Sequence, residues 1–183
     1  MLLRLGVKPA AIAPITLAVG VAVARVVERR CSSAARLKWP NDVQINGKKI
    51  AGILVEGQIR GGLMQSLVVG IGINVRTELF PDALAPSATS LRLLSCADLN
   101  RSSLAADVIC EVGDAADLFD RAGMAPFLEE LSRRDALLGQ QIHVAGAYGV
   151  AAGIDAEGWL LMRAEDGVLS RIVAGEVRPI DGR

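Results

Sequence analysis

The 183-residue sequence contains one histidine, His143, and three cysteines, Cys31, Cys96 and Cys110, without CxxC spacing. One imidazole and three scattered thiols cannot complete a Cys/His metal cage, and no serine or cysteine nucleophile motif accompanies the histidine. The thiols are therefore expected as reduced core side chains of a cytoplasmic protein, and His143 as an ordinary strand residue. Net charge is lacking too. The 20 basic and 20 acidic side chains cancel without a basic block, which speaks against an electrostatic nucleic-acid binder. Aromatic residues are scarce at 3%, yet 51% of the chain is hydrophobic, enough apolar surface to exclude general disorder.

Long uninterrupted apolar runs are also missing. The stretch from Ala10 is broken by Pro14, Thr16 and Gly20 and stops at Arg25, short of the ~18 residues of a membrane span, so no membrane anchor is expected. A buried helix from about Pro9 to Arg29-Arg30 is expected instead, because proline suits a first turn and arginines suit a helix C-terminus. Leu2, Leu3 and Leu5, ahead of it, read as the end of a strand.

The turn chemistry from Asp42 to Val75 is unusually legible. Val43 and Ile45 alternate with polar partners up to Asn46-Gly47, a strong hairpin signal because a type I′ turn needs positive φ at both central residues. A second strand, Lys49 to Glu56, leads to the turn Arg60-Gly61-Gly62, and a third runs from Leu63 to Val75. On the third strand Leu67, Val69, Ile71, Ile73 and Val75 share one face, and Val68, Gly70, Gly72 and Asn74 the other. Two alternate glycines strip the second face of side chains. That bareness suits either a flat ligand or a bulge or helix packed against the backbone. Gly70-Ile71-Gly72 is not a dinucleotide-binding fingerprint, since the third glycine position falls on Val75 and the segment continues a strand.

Leu104, Val108, Val112, Ala116 and Phe119 recur at helical spacing after Asn100 and Ser102-Ser103 as candidate N-caps. A second helix is expected from about Pro126 to Leu138, with Glu129, Glu130, Arg133 and Arg134 as a solvated charged face. After Gly139 short apolar runs alternate with glycine and aspartate turns, the pattern of a small β-barrel.

Three blocks in order, Lys38-Trp39-Pro40-Asn41-Asp42, Lys49-Ile50-Ala51-Gly52-Ile53-Leu54-Val55-Glu56 and Val69-Gly70-Ile71-Gly72-Ile73-Asn74-Val75, resemble the catalytic-domain signature of biotin protein ligases. Ala88-Thr89-Ser90-Leu91, the stretch from Ser102 to Ala122 and the tail around Gly175-Glu176-Val177 are similar to later family segments. The resemblance implies an α+β fold: a mixed or antiparallel sheet with helices, class II synthetase-like, over residues 1–136, then a small SH3-like β-barrel over residues 137–183. It implies biotin, ATP and Mg²⁺ as ligands, and transfer of biotin through biotinyl-adenylate to a lysine of a biotin carboxyl carrier domain. Members of the family often dimerise, so a homodimer is among the expectations. A lipoate ligase shares the general fold, but the lysine-tryptophan-proline block looks like the biotin branch.

Carried over by motif position, Lys49 matches the lysine that contacts the biotin carboxylate and the phosphoryl group. Gly52, Leu54, Gly70 and Gly72 match the biotin pocket wall, and Asn74 the residue at the adenine edge. Asn41 and Asp42 match the end of the tryptophan-proline motif near the phosphates, with Asp42 a candidate Mg²⁺ ligand or base. Trp39 and Lys38 are expected as a packed aromatic and a strand-end charge. Strict alternation puts Lys49 on the side of Ala51 and Ile53, away from Gly52 and Leu54, so it would have to reach the ligand through a twist at the strand end. The family's glycine- and arginine-rich loop, expected ahead of Met1, does not occur in the sequence, and no helix-turn-helix segment is legible. An alternative reading is therefore a non-catalytic fragment that binds biotinyl-adenylate or pairs with another chain.

Overall fold

Two antiparallel sheets and three α-helices are seen among the described residues. The computed structural model describes residues 1–61, 63–96 and 99–180, so Gly62 of the expected turn lies outside the described residues. In order, the elements are β1 (Leu2–Leu3), a 3-10 turn (Pro9–Ala11) running into α1 (Ile12–Arg30), β2 (Ala35–Lys38), β3 (Asp42–Ile45), β4 (Lys48–Arg60) and β5 (Leu63–Ile73). There follow α2 (Arg101–Ala122), a 3-10 turn (Ala125–Phe127) leading into α3 (Leu128–Arg134), β6 (Gln141–Val144), β7 (Ala147–Ile154), β8 (Leu160–Arg163), β9 (Leu169–Ile172) and β10 (Arg178–Pro179).

The first sheet has the order β1-β5-β4-β3-β2, every neighbouring pair antiparallel. The β3–β4 connection is the expected one: Asn46 and Gly47 adopt φ of 51° and 74° between paired Ile45 and Lys48. The core lies on one face of this sheet, where α1 packs against β2 and β4 and is covered in turn by α2. Enclosed by the sheet and by α2, the helix buries Ile15, Val19, Val23 and Val27 completely and keeps its charged residues Arg25, Glu28, Arg29 and Arg30 in its C-terminal part. Gly20 lets α1 approach closely, since a Cβ there would stand 3.2 Å from Leu37 Cδ2. By length and composition the helix could cross a membrane, but most of it is buried within the fold.

Asn100 caps α2 by accepting the N–H groups of Ser102 (3.0 Å) and Ser103 (3.1 Å). The following helix is shorter than expected and ends at Arg134. Its continuation is diverted because Asp135 bridges to Leu37 and Ala136 N–H donates to Leu37 O (2.9 Å), extending the edge of β2. Nor is its charged face wholly solvated. Arg134 pairs with Glu28 (2.7 Å) and Glu130 (2.8 Å), and Glu130 also binds Arg25, so the half-buried Glu130 and Arg134 tie α3 to α1. The Arg134 hydrogen bond holds the Glu28 carboxyl below the usual range; burial pushes Glu130 up, but its two arginines outweigh that.

Asp135 is 3% exposed, and burial raises its pKa against the pull of the Leu137 and Leu138 N–H groups and of Arg36. A raised native value means that its contribution to stability is present at acid pH and is lost as pH rises through the native value. Asp135→Asn is accordingly expected to be more stable than wild type at pH 7, since the buried charge is gone. The difference should vanish below the ordinary aspartate value of 3.8. Urea melts at the two pH values check this.

Two cysteine expectations are corrected. Cys31 and Cys96 are joined in a disulfide (Cα–Cα 4.8 Å) that ties the end of α1 to the segment after β5, and Cys110 is exposed on α2. The bond closes a sequence separation of 65 residues. Reduction is therefore expected to lower stability by ~2–4 kcal/mol, and a Cys31→Ser/Cys96→Ser variant to be insensitive to reductant, in denaturant melts with and without dithiothreitol.

The second sheet has the order β10-β6-β7-β8-β9, all antiparallel, and its edges β10 and β9 are not paired with one another among the described residues. His143 is indeed a strand residue, its ring 4.5 Å from that of Tyr148.

Candidate functional site

The outer face of the first sheet carries the residues singled out by sequence. Across β3, β4 and β5, Asp42 lies opposite Gly52 and Gly52 opposite Gly72; in the next row Leu54 lies opposite Gly70. The alternate residues Ala51, Ile53, Val55, Leu67 and Val69 are buried towards α1, as expected. The strip itself is open. A Cβ at Gly72 would meet nothing within 4 Å, and one at Gly70 would make only ordinary contact with Leu54. Of the alternatives weighed for the alternate glycines, a covering helix or a bulge, neither is seen there. Leu54, 59% exposed, and Val68 stand beside the strip as apolar side chains without cover.

Lys49 belongs to this face, and a β-bulge is the reason. Val43 pairs with Ala51 but Gln44 with Lys49, so Ile50 is an additional residue in β4. An extra residue inverts the alternation beyond it. Ile50 and Ala51 are consequently both buried, and Lys49 turns outward to the side of Gly52, where a Cβ would stand 3.1 Å from Lys49 Cε and Nζ. This overturns the assignment of Lys49 to the opposite side. Lys49 Nζ lies 2.5 Å from Asp42 Oδ1, the lysine side chain being 47% exposed. The ammonium is thus held by one carboxylate at the edge of the strip and remains open to an anionic ligand.

The neighbouring segment fixes both ends of the site. Lys49 N–H donates to Ser87 O (2.7 Å), and Thr89 N–H donates to Lys49 O (2.9 Å). Thr89 O in turn accepts from Asn74 Nδ2 (3.0 Å), while Asn74 N–H donates to Ile50 O and Leu91 N–H donates to Asn74 O. Asn74 is therefore oriented through one amide N–H, with its carbonyl oxygen and second N–H left to face a ligand edge. Ser87 and Thr89 act through backbone groups, which is why side-chain reasoning assigned them no role.

Asn41 is used locally: its Nδ2 donates to Ile53 O (2.8 Å) and its carbonyl accepts Ile53 N–H (2.9 Å). The structure thus brings Asp42, Lys49, Gly52, Leu54, Gly70 and Gly72 onto one face with Asn74 at its end, and gives Asn41 a bracing place beside it. Trp39 is buried, as expected, and precedes a cis peptide to Pro40.

Among the described residues no cluster of three or more His, Cys, Asp or Glu side chains could hold a metal ion. A single carboxylate such as that of Asp42 would suit Mg²⁺ only as one oxygen donor among others brought by a ligand. A cavity of about 630 Å³ lies on the opposite, core side of β5, lined by Ile71 and Ile73 and by Leu104, Val108 and Val112 of α2. It contains none of Lys49, Asp42 or Asn74, so its size does not make it the site.

The fold is an α+β sheet with a bare face edged by a lysine and an asparagine, and comparison with known proteins shows what it resembles. Residues 3–74 match the model of the biotin/lipoate A/B protein ligase family. Biotin ligases are among the proteins it resembles. The bifunctional ligase/repressor BirA of Escherichia coli is 30% identical over 181 residues, 97% of this chain and 56% of the relative. The biotin--[acetyl-CoA-carboxylase] ligase of Paracoccus denitrificans is 33% identical over 160 residues, 75% of this chain and 61% of the relative. Biotin protein ligase from Aquifex aeolicus, solved in complex with biotin and ATP, superposes with a TM-score of 0.83 at 25% identity, covering 95% of this chain and 76% of that one. The chain spans about half the length of the curated relatives it matches.

Proposed function

We propose that this chain binds biotin and MgATP on the glycine-lined sheet face and joins biotin to a lysine of a biotin carboxyl carrier domain. One observation carries the reading: the bulge at Ile50 delivers Lys49 to the face bared by Gly52, Gly70 and Gly72. The likeness to a ligase complex with biotin and ATP supports it.

In the first step a carboxylate oxygen of biotin bonds to the α-phosphorus of ATP and pyrophosphate leaves, giving biotinyl-adenylate. In the second the acceptor lysine amine attacks the activated carbonyl, AMP departs and the amine loses a proton. Gly52, Gly70 and Gly72 admit the flat fused rings against the backbone, beside Leu54. The Lys49 ammonium neutralises negative charge gathering where the carboxylate meets the phosphate, the kind of preorganised electrostatic help that dominates phosphoryl and acyl transfer. Asp42 keeps that ammonium in place and would be the residue to hold Mg²⁺, which would neutralise phosphate charge on the nucleotide. Asn74 reads the adenine edge with the donor and acceptor left free by its bond to Thr89 O. A cytoplasmic setting, where MgATP and carrier domains meet, is part of the same proposal.

The test is to incubate the folded chain with biotin, labelled ATP and Mg²⁺ and then with an apo carrier domain. Biotin-dependent pyrophosphate release followed by labelled carrier is expected. A folded chain that binds neither biotin nor ATP overturns the proposal, and retained binding without turnover supports the non-catalytic alternative.

A further inference from the structure

The joint between the two sheets meets the candidate site at one side chain. Trp39, 3% exposed, donates its indole Nε1–H to the carbonyl of Gly158 at 2.9 Å, across 119 residues of sequence. Gly158 lies in a turn of the second sheet built to hold that carbonyl still. Asp155 Oδ1 accepts the N–H groups of Glu157 and Trp159 (both 3.0 Å), Gly158 N–H donates to Asp155 O (3.0 Å), and Arg171 clamps Asp155 Oδ2 at 2.8 Å. The turn is also wedged against α1. Gly158 has φ of +81°, and a Cβ there would stand 2.8 Å from Pro14 N, so only glycine fits between the turn and α1.

Trp39 begins the short connection between β2 and β3, and the next residues are Pro40, Asn41 and Asp42. The connection is held from two sides: Ile53 takes both a donor and an acceptor of Asn41, and Gly158 takes the indole of Trp39. Asp42, at its end, holds the Lys49 ammonium.

We propose that Trp39 is a positioning residue, and that the Asp155–Trp159 turn is the anchor through which the second sheet sets where Asp42 and Lys49 stand on the glycine face. The proposal deepens the function proposed above and rests on it for its catalytic consequence, though not for its structural one. Removing the indole N–H leaves the buried Gly158 carbonyl without its partner and frees one side of the connection. Displacement of Asp42 and Lys49 affects the charge-transfer step more than the seating of biotin against the glycines. The signature is a fall in kcat with little change in KM for biotin.

Trp39→Phe keeps the ring and removes only the donor. Two measurements on the full chain separate the outcomes. Hydrogen exchange of the Ile53 amide, which is bonded to Asn41 O, is expected to accelerate at least about fivefold more than that of the Leu91 and Ala151 amides, because opening is local. In biotin-dependent pyrophosphate release, kcat should fall about tenfold with KM for biotin within about twofold, as misplacement of reacting groups predicts. Equal acceleration at all three amides, or none at Ile53, overturns the anchoring role. A rise in KM with kcat unchanged overturns the positioning role. A wild-type chain without pyrophosphate release counts against the function proposed above, while the exchange result still decides the anchor.

Discussion

Lys49→Ala is expected to lower biotin-dependent pyrophosphate release by about 10²–10³-fold in kcat, the scale on which loss of one preorganised charge-stabilising group is felt. Stability should hardly change. The lysine side chain is 47% exposed and its partner Asp42 21%, so their ion pair contributes at most about 1 kcal/mol after solvent screening. Lys49→Arg should restore only part of the rate, because a planar fork cannot occupy the place of a compact ammonium beside Gly52, where Cε and Nζ already lie 3.1 Å from the Cβ position. Parallel steady-state assays and thermal melts of the three proteins check this. An alanine variant that is fully active would place the charge stabilisation elsewhere.

Gly72→Val separates fold from function more sharply still. Nothing lies within 4 Å of the Cβ position, so the fold has open space at the root of the new side chain. Glycine within a strand costs about 0.5–1 kcal/mol in conformational entropy, and valine suits a strand, so stability should stay level or rise. The same isopropyl group stands where the biotin rings would lie, and affinity for biotin should fall by at least about 100-fold, since a steric block exceeds what a methylene's contact energy can recover. Calorimetric titration with biotin beside a melting curve reads both signs. Unchanged biotin affinity would remove the glycine strip from the binding surface.

Much of this site was legible before its geometry. Asn46-Gly47 dictated the hairpin, period-two alternation assigned the faces of β5, and the glycines at 70 and 72 marked the bare strip. The face of Lys49 was not, because Ile50 to Val55 is a continuous apolar run in which no polar residue marks a bulge. Only pairing with β3 reveals that Ile50 is additional. The end of α3 was hidden for a similar reason: Asp135 leaves the helix to pair with the edge of β2, a partner almost 100 residues away in sequence. The Cys31–Cys96 bond likewise depends on a distant approach that spacing does not encode. Charge patterning misread Glu130 and Arg134 as solvated, since local spacing cannot see Arg25 and Glu28 arriving from α1.

The most direct measurement is a titration of the isotopically labelled chain with a non-hydrolysable biotinyl-adenylate analogue, following backbone and side-chain amide resonances. Binding on the outer sheet face predicts saturable shifts at Lys49, Gly52, Gly70, Gly72 and the Asn74 side chain, with the amides of Val108 and Val112 beside the core-side cavity unmoved. Shifts confined to that cavity, or none at all from a folded chain, would contradict it.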